Sequence, residues 1–128
     1  MPTVLIVDDE PAILELVRFT LGDDQVRILE ASDGPAALEI ARAERPELIL
    51  LDVRMPHLDG VEVCRRLRAE AALAPTRIVM LTAADQEADR ARGLAAGADE
   101  YLSKPFSPLA LLTLVRSILP EVSSWPET

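Results

Sequence analysis

The sequence predicts an α/β, doubly wound fold: a five-stranded parallel sheet in the order 2-1-3-4-5, with five helices on its two faces. Three observations carry this. Strand-like and helix-like patterns alternate five times along the chain, which implies parallel strands joined by helical crossovers. The strands starting at Val4, Leu48 and Ile78 are continuously apolar, as expected when both faces are covered. In contrast, Val26-Arg27-Ile28-Leu29-Glu30 is mixed and the fifth strand is short, so those two belong at the edges; right-handed crossovers then give the order. Finally, the apolar strands run into Asp8-Asp9, Asp52 and Thr82, and the fifth is followed by Lys104-Pro105. Open α/β sheets place their ligands at that carboxyl edge.

The elements follow in order. Residues 3–7 read as the first strand. Ile13, Leu14, Leu16, Val17 and Leu21 then fall at helical spacing over 11–21, with Pro11 in the first turn and Gly22 as the stop. Residues 26–30 form the second strand, 34–44 the second helix with Pro46 beyond it, and 47–51 the third strand. Asp59-Gly60-Val61-Glu62 has the capping-box pattern and starts a helix to about Glu70. A connector over 71–76 leads to the fourth strand, 77–81, and to a fourth helix over 85–96 that stops at Gly97. Residues 99–102 make the fifth strand. Ser107-Pro108 reads as a cap and first-turn proline for a last helix ending at Leu119, before Pro120.

A chain of 128 residues fits one domain and can form a core without disulfides. We expect that domain over 1–119 and a linker or disordered tail over 120–128. The apolar runs are too short to span a bilayer, and Met1-Pro2-Thr3 does not begin a signal peptide. The single cysteine, Cys64, excludes an intrachain disulfide and fits a reducing, cytoplasmic setting. The net charge of −9 argues against nucleic-acid binding by this domain.

Asp8, Asp9 and Asp52 would form an all-oxygen site suited to a hard cation such as Mg²⁺ (or Mn²⁺), not to zinc or copper. Like charges this close repel unless a cation binds or a carboxylate is protonated. Asp52 can also act as a nucleophile on a phosphoryl group. Thr82 would then hydrogen-bond a phosphoryl oxygen, and Lys104 would supply positive charge. His57 reads as a loop residue, Cys64 as packing, and Arg65, Arg66 and Arg68 as a solvated face.

The set Val4-Leu-Ile-Val-Asp-Asp-Glu10, Leu50-Leu-Asp-Val-Arg-Met-Pro56, Asp59-Gly60, Leu81-Thr-Ala83, Gly97-Ala-Asp-Glu-Tyr101 and Lys104-Pro-Phe106 resembles the receiver domain of two-component response regulators, over residues 3–119. The resemblance implies the flavodoxin-like receiver fold and phosphorelay signalling, with Asp52 as phosphoacceptor. It also implies Asp8 and Asp9 as metal ligands, completed by Asp52 and the backbone carbonyl of Arg54. Thr82 would be the switch hydroxyl, Tyr101 the switch aromatic and Lys104 the phosphate-binding lysine, with Lys104-Pro105 in cis. Arg54 and Ala84 fall where the family tunes phosphate lifetime. The implied partner is a histidine kinase or histidine phosphotransfer protein, and the chain would not be a turnover enzyme. Phosphorylation would change the surface of the fourth helix, fifth strand and fifth helix.

The last helix departs from part of that family. From Leu109 to Leu119 it carries a single charge, Arg116. Ala110 and Leu114 stand where winged-helix transcription-factor receivers carry salt-bridging residues. Leu109, Ala110 and Leu114 are therefore expected to form an apolar patch for a second copy or an adjoining output domain. Three other readings are weaker. A haloacid-dehalogenase-like phosphatase needs a second acid where Arg54 stands. A flavin domain fits poorly with 3% aromatic residues. A phosphorylation-independent interaction domain would keep the motifs without the chemistry.

Overall fold

The computed structural model describes residues 2–22, 26–55, 58–83 and 86–119. His57, Ala84 and the tail over 120–128 lie outside them. The elements are β1 (Thr3–Val7), α1 (Pro11–Leu21), β2 (Arg27–Ala31), α2 (Gly34–Glu44), β3 (Leu48–Asp52), α3 (Gly60–Arg68), a 3-10 turn (Ala71–Leu73), β4 (Arg77–Ala83), α4 (Glu87–Ala95), β5 (Glu100–Lys104) and α5 (Pro108–Ile118). All pairings are parallel and the sheet order is β2-β1-β3-β4-β5.

Side chains alternate across a strand, and this sequence makes both alternating sets apolar. Leu5, Val7, Ile49, Leu51, Ile78 and Met80 face α2 and α3 through Leu38, Ala41, Val63 and Leu67. Val4, Ile6, Leu48, Leu50, Val79 and Leu81 face α1 and α5 through Val17, Leu21, Leu111 and Val115. Burying each of these larger side chains stabilises the fold by roughly 1.5–3 kcal/mol before entropy is counted. Among the described residues, no helix is long and apolar enough to cross a membrane.

Several boundaries differ from the sequence reading. β2 lies one residue later. β4 continues through Thr82 to Ala83, and β5 through Ser103 to Lys104, because Thr82 pairs with Ser103 and Ala83 with Lys104. Thr82 and Lys104 are thus on the ladder itself, not in loops beyond it. Asp59 caps α3 by accepting from the Val61 and Glu62 N–H groups, while Glu62 pairs with Arg65 and Arg66. Ser107 caps α5 through the Ala110 N–H. Past the end of α4, Gly97 adopts φ +111, a left-handed conformation that favours glycine. A Cβ there would stand 2.6 Å from Arg68 Cγ.

Arg68 corrects the reading of a uniform basic face. Arg65 and Arg66 are exposed, but Arg68 is half-buried and donates to the Gly97 carbonyl (2.8 Å), the Thr76 carbonyl (2.7 Å) and Asp99 Oδ2 (2.6 Å). It joins α3 to the segments before β4 and β5.

Candidate functional site

The carboxyl ends of β1, β3, β4 and β5 meet at one sheet edge because the register aligns them: Val7 opposite Leu51, Asp52 opposite Leu81, Thr82 opposite Ser103. Immediately beyond β1 come Asp8, Asp9 and Glu10. A backbone bond from Asp8 N–H to the Ala31 carbonyl (3.1 Å) and one from the Glu10 N–H to Asp8 Oδ1 (2.9 Å) fix that turn. Asp8 and Asp52 are buried; Asp9 and Glu10 are exposed.

One oxygen from each of Asp8, Asp9, Glu10 and Asp52 falls within 4.8 Å of the others. Asp8, Asp9 and Asp52 are the three expected from the sequence. Glu10 is an addition, foreshadowed only by its place in the Asp-Asp-Glu run. Lys104 Nζ reaches into the cluster, 2.8 Å from Asp8 Oδ2, 3.2 Å from Glu10 Oε1 and 3.4 Å from Asp52 Oδ2. The Lys104-Pro105 peptide is cis, as expected.

Asp52 Oδ1 accepts the Arg54 backbone N–H at 3.2 Å, and Oδ2 faces Lys104. Burial, reinforced by the Asp8 carboxylate, pushes Asp52 up to about 6, against the pull of Lys104 and the Arg54 N–H. For Lys104, burial favours the neutral amine. The hydrogen bond to Asp8, the charges of Asp52 and Asp8, and Glu10 outweigh it and hold the ammonium above the usual lysine range. Thr82 is buried, and its Oγ1 has no hydrogen-bond partner in the structure. Such hydroxyls are uncommon in native proteins, and this one lies at the carboxyl edge beside the acidic cluster.

Gly60 explains how α3 comes so close. Its N–H donates to the Val53 carbonyl at 2.8 Å, and a Cβ on it would lie 2.0 Å from the Asp52 carbonyl oxygen. Cys64 takes no part: burial pushes its thiol up to about 11, leaving an inert packing residue.

Tyr101 is half-buried and held by α4, not by the carboxylates. The Arg90 guanidinium lies 3.8 Å from the ring centroid, and its Nη2 contacts the Tyr101 hydroxyl. A second set of ion pairs flanks the site, where Arg54, Asp89, Arg92 and Asp59 interlock. Apart from the Asp89–Arg92 pair, which has i,i+3 spacing within α4, these contacts had no signal in the sequence, because their partners come from distant segments.

The response regulator receiver domain model matches residues 4–116. The chain belongs to the response regulator receiver domain family. Its relatives include the alkaline phosphatase synthesis transcriptional regulatory protein PhoP of Bacillus subtilis (strain 168), 47% identical over 116 residues that make up 91% of this chain and 48% of that protein. The chain thus spans about half the length of the curated relatives it matches. Among solved structures, the chemotaxis response regulator CheY4 of Vibrio cholerae superposes with a TM-score of 0.86 at 36% identity, over 92% of this chain and 98% of that one. The receiver domain of the sensor histidine kinase PA1611 from Pseudomonas aeruginosa PAO1, described with a magnesium ion coordinated in its active-site cleft, gives a TM-score of 0.81 at 31% identity, over 94% and 98%. The receiver is therefore a signalling module of two-component systems, with the family's doubly wound sheet.

Proposed function

We propose that this receiver accepts a phosphoryl group on Asp52 from a phosphohistidine of a histidine kinase or phosphotransfer protein in the cytoplasm. The observation that carries the reading is the pairing of a buried Asp52 carboxylate with Lys104 Nζ at 3.4 Å, inside a four-carboxylate cluster at the sheet edge. An Asp52 oxygen attacks phosphorus in line and forms a P–O bond. The P–N bond to the donor imidazole breaks, and that nitrogen leaves with the electron pair. Lys104 is placed to balance the charge on the phosphoryl oxygens, and the unpartnered Thr82 hydroxyl is placed to donate to one of them.

The donor set fits a hard divalent cation: oxygen atoms only, clustered, with negative charge in excess. Asp8, Asp9, Asp52 and the Arg54 carbonyl would hold Mg²⁺ or Mn²⁺, as the magnesium-containing PA1611 receiver supports. When bound, the ion supplies charge neutralisation for phosphoryl transfer.

Thr82 and Tyr101 then form the switch. Thr82 turns to the phosphoryl group, and Tyr101 exchanges its Arg90 contact for an inward position, changing the α4, β5 and α5 surface. Leu109 is 64% exposed at the start of α5, and Ala110 and Leu114 are half-buried. This patch is our candidate contact for a second copy or an output domain.

The test is intact mass after incubation with acetyl phosphate and Mg²⁺. We expect a gain of one phosphoryl group that is abolished by chelator and by Asp52→Asn. A gain that persists in Asp52→Asn would overturn the assignment.

A further inference from the structure

Asp89, on α4, is an acidic side chain only 5% exposed, and two arginines hold it. Arg54, two residues beyond Asp52, donates from Nε to Asp89 Oδ2 at 2.8 Å and from Nη2 to Gln86 Oε1 at 3.0 Å. Arg92 contacts Asp89 Oδ1 at 3.2 Å and reaches back to Asp59 Oδ2 at 3.1 Å. Arg54 itself is 69% exposed. Its guanidinium lines a cavity of about 350 Å³ that it shares with Asp9, Asp59, Asp89 and Arg92. The cavity gives it room to leave Asp89 and approach the carboxylate edge.

We propose that Arg54 is a positioning residue that ties the Asp52 loop to α4 through Asp89, and that a phosphoryl group on Asp52 draws it away and loosens α4. The inference rests on the phosphoacceptor reading above. The competition is electrostatic. A phosphoryl group carries nearly twice the charge of a carboxylate and presents oxygens that match the planar guanidinium fork. Once Arg54 leaves, Asp89 keeps Arg92 alone, and an underpaired buried carboxylate destabilises the helix that carries it.

The test is hydrogen exchange of the α4 amides in the whole chain with Mg²⁺, with and without beryllofluoride as phosphoryl mimic. Bound fluoride is read separately by ¹⁹F NMR. In the wild type, beryllofluoride should speed α4 exchange about fivefold, the size expected for one partly exposed ion pair. Arg54→Ala should show that faster exchange already without beryllofluoride, and little further change with it, while Asp89→Asn, which removes the buried charge, should make α4 exchange insensitive to beryllofluoride. Arg54→Lys, which keeps a cation, should restore protection in the free state. Wild-type protection in free Arg54→Ala would overturn the proposal. So would unchanged wild-type α4 exchange while ¹⁹F signals show the mimic bound; that result would leave the phosphoacceptor reading standing. Failure of the wild type to bind the mimic would overturn both.

Discussion

Asp52 sets the terms at the level of single residues. Its carboxyl is displaced from an ordinary value of 3.8 to about 6, first by burial and then by Asp8. The folded state therefore binds this proton more tightly than the unfolded chain. Stability from this group is fully present below about 3.8 and is lost as pH rises through 6. Asp52→Asn should accordingly stabilise the metal-free protein at pH 7 by about 1–2 kcal/mol, after allowance for solvent screening. The gain should vanish near pH 4 in urea unfolding with chelator present. A destabilised Asp52→Asn protein at pH 7 would contradict the strained-cluster account. The acidic residues, Thr82 and Lys104 were legible in the sequence because each stands at the end of an apolar run. Their burial was partly legible too, since strands covered on both faces bury what lies at their tips. The contacts of Arg54 with Asp89, Arg92 with Asp59, Arg68 with Asp99 and Arg90 with Tyr101 were not legible, because each joins a helix residue to a distant loop, cap or strand position and leaves no local pattern in the sequence.

The elements show how tightly local geometry is tied to the site. The N-terminus of α3 sits so near β3 that a Cβ at residue 60 would overlap the Asp52 carbonyl oxygen at 2.0 Å. That atom is backbone and cannot rotate away. Gly60→Ala should therefore cost about 2–4 kcal/mol, measured as a lower urea midpoint, and should displace the acceptor strand. Near-wild-type stability would show that α3 can retreat freely. The start of α5 behaves differently. Leu109 is largely exposed, so Leu109→Ser should change stability by no more than about 0.5 kcal/mol. It should nevertheless weaken self-association of the beryllofluoride-treated protein, as followed by sedimentation. Unchanged sedimentation would remove Leu109 from the contact surface. The helices and their caps at Asp59 and Ser107 were readable from cap chemistry and spacing. The extra length of β4 and β5 was not, because it comes from pairing between the two strands and not from the composition of either.

The whole molecule turns a simple patterning rule into a site. Two alternating apolar sets force helices onto both faces of the sheet, and the mixed second strand and half-exposed fifth strand take the edges. That order puts β1 and β3 side by side, so the acids after each converge, with β4 and β5 adding Thr82 and Lys104. The central claim is that this convergence makes Asp52 the phosphoacceptor. The most direct test treats the protein with acetyl phosphate and Mg²⁺, reduces the acyl phosphate with borohydride and maps the product by peptide mass spectrometry. The account predicts homoserine at position 52 and an unmodified residue there when the phosphoryl donor is omitted. Reduction product at Asp8, Asp9 or Glu10, with Asp52 intact, would contradict it.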